Sequence, residues 1–244
     1  MALTREVFRS SFESGAQRRC AENWEPSCTP GASAADTASS THSGRRQWIW
    51  HKRSSRHSAT HSSVVSATPT LHTTRLVLGG FTPADAADLQ HLAGDREIAD
   101  TTVSIPHPYE LDHARAWIGQ QRRELVRGRA ANFAIRLAGS RLIGCAGLRD
   151  IDREHSQAEL GFWIGRQWWG HGYAREAASA VLRFGFEQLG LNRICAHHMA
   201  RNPAAGQVLR HIGMEREGVL RKRVQKWGVY EDVMLYAILR EDRN

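Results

Sequence analysis

The stretch that most constrains this chain runs from Glu159 to Ala174 and reads E-L-G-F-W-I-G-R-Q-W-W-G-H-G-Y-A. Glu159–Ile164 is a short apolar run of aromatic and branched residues, which suits a strand. Gly165 makes a turn, and a small-residue cluster, Gly170-His171-Gly172-Tyr173-Ala174, comes after it. From there Ala174, Ala177, Ala178, Val181, Leu182, Gly185 and Leu189 recur at helical spacing, so an amphipathic helix is expected from Gly172 to about Gln188. Strand, glycine loop and helix N-terminus together make an anion site. Glycines admit close approach, the first N–H groups lack helical acceptors, and the helix dipole favours negative charge.

A lone G-x-G is ordinarily just a turn before a surface helix. A dinucleotide loop fails on detail, because no third glycine stands three residues after Gly172 and no acidic residue ends a second parallel strand about 20 residues on. The chain continues instead into a strand, Leu191 to His198, then Arg201-Asn202-Pro203 at a helix start, then His211-Ile212-Gly213-Met214. This order resembles the GNAT superfamily of acetyl-CoA-dependent N-acetyltransferases, and more closely its RimJ/RimL-like branch. That family's phosphate loop reads Gln/Arg-x-x-Gly-x-Gly/Ala. Gly172 and Ala174 match its last two positions, and Trp169 stands where Gln or Arg is usual, a mild departure if that residue gives mainly its backbone N–H.

The rest of the chain falls into the same order. Thr74–Leu78 alternates like a first strand, and Thr82-Pro83-Ala84-Asp85 starts a helix whose apolar face continues through Leu89, Leu92 and Ile98. Two prolines hold Ile105–Tyr109 extended. A helix runs from Glu110 to near Gly128, and Gly139-Ser140 turns a hairpin between Asn132–Leu137 and Leu142–Leu148. Strand, two helices, three antiparallel strands, helix, strand, helix and two strands argue an α+β fold. The resemblance implies a GNAT-like mixed, mostly antiparallel central sheet flanked by helices over roughly Leu71 to Glu241. The closing Tyr230–Tyr236 run fits the same relatives.

Residues 1–70 differ in character. From Gly31 to Thr70 the chain is dominated by Ser, Thr, Ala, Arg and His, with no apolar periodicity outside Trp48-Ile49-Trp50. A disordered basic extension, 1–70, is therefore expected before a folded domain, 71–244. Its cluster Arg45–Arg53 mixes cations with aromatics that suit RNA or an anionic membrane surface, against the plainer reading of a solvated tail. Because no methionine lies between Met1 and Met199, a later start would need an alternative codon, and Val64 or Val65 are the positions for it.

The net charge of +8 and a pI near 9.9 admit a polyanionic partner, nucleic acid or cofactor. Cys20, Cys28, Cys145 and Cys195 lack metal or disulfide spacing, so no metal site is expected. No apolar run is long enough to span a bilayer. The expectation is a cytoplasmic enzyme without membrane or nucleic-acid contacts outside the basic tail; a homodimer is left open.

The resemblance also assigns roles. Backbone groups of Phe162 and Ile164 face the pantetheine arm, and the loop Trp169, Gly170, His171, Gly172, Tyr173 and Ala174 takes the pyrophosphate. Asn202 contacts the cofactor beyond it, while by itself it reads as a helix N-cap before Pro203. Acetyl transfer needs a neutral amine, and at pH 7 deprotonation costs an α-amine about 1 kcal/mol and a lysine about 4.6 kcal/mol. Glu159 is the candidate base, on the central strand beside Gly161 and Trp163; the alternative is a solvated glutamate. Family positions for a protonating Tyr or Ser hold Leu209 and Ala205 here. Tyr109 becomes the second catalytic candidate, with His107 and Tyr230 behind it, although a thiolate with pKa near 8.5 leaves unaided. His197-His198 point to opposite faces of a strand and make a poor metal pair. Arg221-Lys222-Arg223 and Lys226-Trp227 are expected between the last two strands, bordering the acceptor site. Acetyl-CoA as co-substrate and an amine acceptor, a protein N-terminus or a small amine, complete this reading. The rival is a catalytically weak CoA-binding module associated with ribosome or RNA.

Overall fold

The computed structural model describes residues 67–137 and 141–243. Expectations for the first 66 residues, including the extension, the Arg45–Arg53 cluster and a start at Val64 or Val65, lie outside the described residues, as does the Gly139-Ser140 turn. Strands β1 (Leu71–His72) and β2 (Leu76–Gly79) pair first, and alternation puts Leu76 and Leu78 into the core. Pro83–Asp85 forms a single 3-10 turn, capped by the Asp85 carboxylate accepting the Thr82 N–H at 2.7 Å.

Helix α1 (Ala86–Ala93) then packs Leu89 and Leu92 inward. The apolar face expected to continue to Ile98 is interrupted. Gly94 ends α1, and Asp95 caps a separate short helix, α2 (Arg96–Thr101), by accepting the Glu97 N–H at 2.8 Å. Helix α3 (Leu111–Val126) begins after Glu110 and stops before a left-handed Gly128, as the sequence suggests.

Strands β3 (Ala131–Leu137), β4 (Leu142–Asp152) and β5 (Gln157–Ile164) form an antiparallel meander, succeeded by α4 (Tyr173–Glu187), β6 (Arg193–Met199), α5 (Pro203–His211), β7 (Glu215–Lys226) and β8 (Val229–Leu239). Among the described residues the sheet order is β1-β2-β3-β4-β5-β6-β8-β7, and only β5 and β6 run parallel. This is the mixed, mostly antiparallel α+β sheet expected. One face buries α4, whose Ala177, Val181 and Phe184 meet Phe133, Leu148, Leu160 and Ile194. The other buries α1 and α3 against Ala134, Leu142 and Trp163.

The end of the chain corrects one expectation. Arg221, Lys222 and Arg223 are not in a connection but inside β7, the edge strand, where the pairing register shifts between Leu220 and Val224. Trp227 and Gly228 alone turn the hairpin. Lys226 is buried, with Nζ donating to the Ile105 carbonyl at 2.9 Å. An edge strand tolerates a run of cations, and among the described residues nothing pairs along the outer side of β7.

Candidate active site

The one parallel joint in the sheet is short. Gln157, Ala158, Glu159 and Leu160 of β5 pair with Arg193, Ile194, Cys195 and Ala196 of β6, and there the pairing stops. Both strands continue, β5 to Ile164 along β4 and β6 to Met199 along β8, so they part like the arms of a V. The Gly165 N–H bonds the Ile143 carbonyl at 2.8 Å, toward β4. Main-chain groups alternate sides along a strand, so those of Ile164 and Phe162 point into the opening. A chain-like amide ligand would find strand-type partners there.

At the mouth of the V lies the glycine loop. Gly170 and Gly172 both adopt φ 78, a left-handed backbone that costs other residues energy. A side chain at Gly170 would meet only open space, and one at Gly172 only the Arg75 guanidinium at 3.5 Å. Gly172 is the N-cap of α4, and Glu176 is the first residue whose N–H reaches back to a helical acceptor, the Gly172 carbonyl at 3.1 Å. The N–H groups of Tyr173, Ala174 and Arg175 therefore face outward at the positive end of a 15-residue helix. His171 stacks on Tyr173 with centroids 5.6 Å apart, its Nδ1 2.8 Å from the Trp169 carbonyl.

Trp169 departs from its expected role. Its backbone N–H bonds the Arg166 carbonyl at 3.1 Å, and its indole N–H bonds the Ile164 carbonyl at 2.6 Å. It braces the loop against the strand end and has no backbone donor left for a ligand. Arg75 braces the other side. It bonds the His171 carbonyl at 2.9 Å and Glu176, and lies over the Tyr173 ring at 4.6 Å. Burial works to raise the Glu176 pKa, but bonds from Thr73 and Arg75 outweigh it and hold the carboxyl below its usual range.

Glu159 stands on the α1–α3 side of the sheet, at the closed end of the V. It is not a free carboxylate. Arg149 lies directly opposite on β4 and donates to Oε1 through Nε at 3.1 Å and through Nη2. His197 Nδ1 approaches the same oxygen at 2.9 Å. Burial pushes the Glu159 pKa up, yet the His197 hydrogen bond and the Arg149 charge prevail and hold it low. Beside it Gly161 leaves an open lane, since a Cβ there would touch nothing within 4 Å.

The remaining candidates divide. Asn202 caps α5, its Oδ1 accepting the Ala205 N–H at 3.3 Å, with Pro203 at the first helical position. Tyr109 packs in the α1–α3 cluster near His113, and burial foremost, with Cys145 adding to it, pushes its phenol up to about 12. So weak an acid holds its proton against a thiolate. His107 packs beside Trp227, 6.4 Å between centroids, and Tyr230 is exposed. Reading the sequence missed Arg149, His197, Arg75 and Glu176. The hairpin joining β4 to β5 offers a count that finds Arg149, while the partners of Glu159 across the parallel joint leave no trace in spacing. Among the described residues no group of three His, Cys, Asp or Glu is placed to hold a metal ion.

Comparison with known proteins gives the family. The pattern of the Acetyltransferase (GNAT) domain fits residues 75–215. The chain belongs to the GNAT acetyltransferase family. It is 31% identical over 174 residues to the uncharacterized N-acetyltransferase p20 of Bacillus licheniformis, covering 71% of this chain and 97% of that protein. It is 31% identical over 102 residues to the ribosomal protein uS5-alanine N-acetyltransferase of Escherichia coli, covering 41% of this chain and 53% of that one. Among solved structures, the spermidine N-acetyltransferase of Vibrio cholerae in complex with CoA and spermine superposes with a TM-score of 0.63 at 26% identity, covering 70% of this chain and 98% of that one.

Proposed function

We propose that the chain is an acetyl-CoA-dependent N-acetyltransferase, acting in the cytoplasm, that moves the acetyl group to a primary amine by direct attack in a ternary complex. The observation that carries this reading is the V between β5 and β6, opening beside the outward-facing N–H groups at the head of α4. In this reading Phe162 and Ile164 offer backbone partners to the pantetheine arm of acetyl-CoA. Gly170 to Ala174 hold its pyrophosphate, and Asn202 contributes the amide nitrogen that its cap does not use. Glu159 supplies negative charge at the reacting end, where an ammonium acceptor must lose a proton. Tyr109 shapes the acceptor side from the α1–α3 cluster, and the leaving thiolate needs no acid from it. The folded domain begins near residue 71.

The acceptor is a protein N-terminus or a small amine, and relatives of both kinds support the amine as the shared chemistry. The test is an acceptor screen that reads CoA thiol release from acetyl-CoA with hexapeptides beginning in Ala, Ser or Met and with spermidine. Turnover above the hydrolysis background with one of these amines supports the assignment. Acetyl-CoA binding without release on any primary amine would overturn it in favour of a binding module.

A further inference from the structure

We propose that His197, rather than Glu159, accepts the proton of the incoming amine, and that Glu159 orients the imidazole. This rests on the N-acetyltransferase reading above. His197 is the first residue of β6 beyond the last parallel pair, Leu160 with Ala196, so it stands where the V opens. Its Nδ1 lies 2.9 Å from Glu159 Oε1. A carboxylate oxygen only accepts, so Nδ1 must carry the hydrogen, and in the neutral ring Nε2 keeps a lone pair. The His197 side chain is 24% exposed and Glu159 is 17% exposed, so the imidazole stands nearer solvent than the carboxylate behind it.

Arg149 explains why the carboxylate is the wrong base. Its guanidinium meets the same Oε1, and together with His197 it favours the ionised carboxylate and makes it a weak proton acceptor. The arrangement is a carboxylate orienting a histidine whose far nitrogen has no hydrogen-bond partner among the described residues, the division of labour used wherever a buried acid fixes an imidazole tautomer. The titratable groups around the pair are Arg149 from β4, which meets Glu159, Glu159 itself from β5, and Cys195 and His198 on the strand of His197, while β8 presents Leu235 opposite.

In the chemical step an acceptor ammonium gives one proton to His197 Nε2 and becomes a neutral amine. The amine lone pair forms the C–N bond at the thioester carbonyl carbon, the C–S bond breaks, and sulfur leaves with the bonding pair. The amine's second proton ends on the thiolate, giving the amide and CoA thiol, and the imidazolium returns its proton to water.

The deciding experiment compares His197→Ala with Glu159→Gln on the full chain, using the acceptor that the wild type turns over fastest in the screen. Both donors meet one oxygen, so a glutamine carbonyl at 159 keeps the tautomer and loses only charge. Expected are a kcat loss of about a hundredfold for His197→Ala and about tenfold for Glu159→Gln, with acetyl-CoA KM within about twofold for both. Added imidazole restores His197→Ala, and the acidic limb of the kcat/KM profile disappears in that variant. A larger loss in Glu159→Gln than in His197→Ala, or no imidazole rescue, overturns the proposal while leaving the enzyme assignment intact. If the wild type turns over no amine, the function fails, and the tautomer still decides this inference. Nitrogen-15 NMR of the imidazole must show protonated Nδ1 and bare Nε2, and the opposite tautomer overturns it.

Discussion

Single atoms decide the behaviour of two positions. At Gly172 a branched side chain meets a left-handed backbone and the space beside the Arg75 guanidinium, where the proposed cofactor loop faces outward. Gly172→Val is expected to weaken acetyl-CoA binding at least about tenfold while the sheet still forms; calorimetry giving unchanged affinity would remove the loop from the binding site. His198 is the second. It points to the opposite side of β6 from His197, 8% exposed, with Nδ1 on the Met199 carbonyl at 2.8 Å and no partner for Nε2 among the described residues. Burial foremost holds its pKa below the ordinary value, so the fold favours the neutral ring. Below about pH 6.5 the unfolded chain binds a proton more readily than the folded one, so stability falls as pH falls, by at most about 1.4 kcal/mol per pH unit for one group. Glu159, Glu176 and Glu217 act in a lower window, because their depressed pKa values add stability that is lost as pH falls through them. His198→Leu is expected to flatten the first window and leave the second, as read from denaturant midpoints between pH 7 and pH 5. A wild type equally stable across that interval would refute this.

Elements are tied to one another by polar contacts that hydrophobic pattern alone does not reveal. The 3-10 turn before α1 is anchored to β3 by Arg136, whose Nη2 donates to both Asp85 oxygens at 2.8 Å, and Asp85 is 6% exposed. Removing one partner strands a buried charge, so Arg136→Leu is expected to cost about 3 kcal/mol in urea denaturation. A cost below about 1 kcal/mol would mean that Asp85 is satisfied by Thr82 alone. The turn itself was legible, since Thr82, Pro83 and Asp85 are local signals. So were the start of α3 at Glu110, the strand ending at Ile164 and the cap at Asn202, all set by neighbours in sequence. The pairing of Glu159 with His197 was not, because β5 and β6 are separated by all of α4 and their register depends on how that helix packs. The split between α1 and α2 was hidden because Ile98 is apolar and in phase, while Gly94 and Asp95 break the backbone between them. Arg221–Arg223 looked like a turn because three cations rarely enter a sheet interior, and β7 is not interior.

At the scale of the molecule, the sequence from Gly31 to Thr70 carries no apolar periodicity outside Trp48-Ile49-Trp50, and every candidate site residue lies after residue 71. A protein beginning at Ala67 is therefore expected to retain the melting temperature and the acetyl-CoA affinity of the full chain. A drop of more than about 5 °C in thermal melting would show that the preceding residues contribute to the fold. Among the described residues no helix is long and apolar enough to cross a membrane.

The four-pair joint between β5 and β6 also has a mechanical meaning. Among the described residues it is the only weld in the sheet between one plate, β1 to β5, and another, β6, β8 and β7. Glu159 is riveted to the first plate and His197 to the second. Any small torsion of one plate against the other, from a substitution far out on β7 or on β1, is transmitted to the angle between that carboxylate and that imidazole. If those two groups share the proton transfer as proposed, distant residues change the rate without touching either reactant, simply by re-aiming two groups that face each other across a weld.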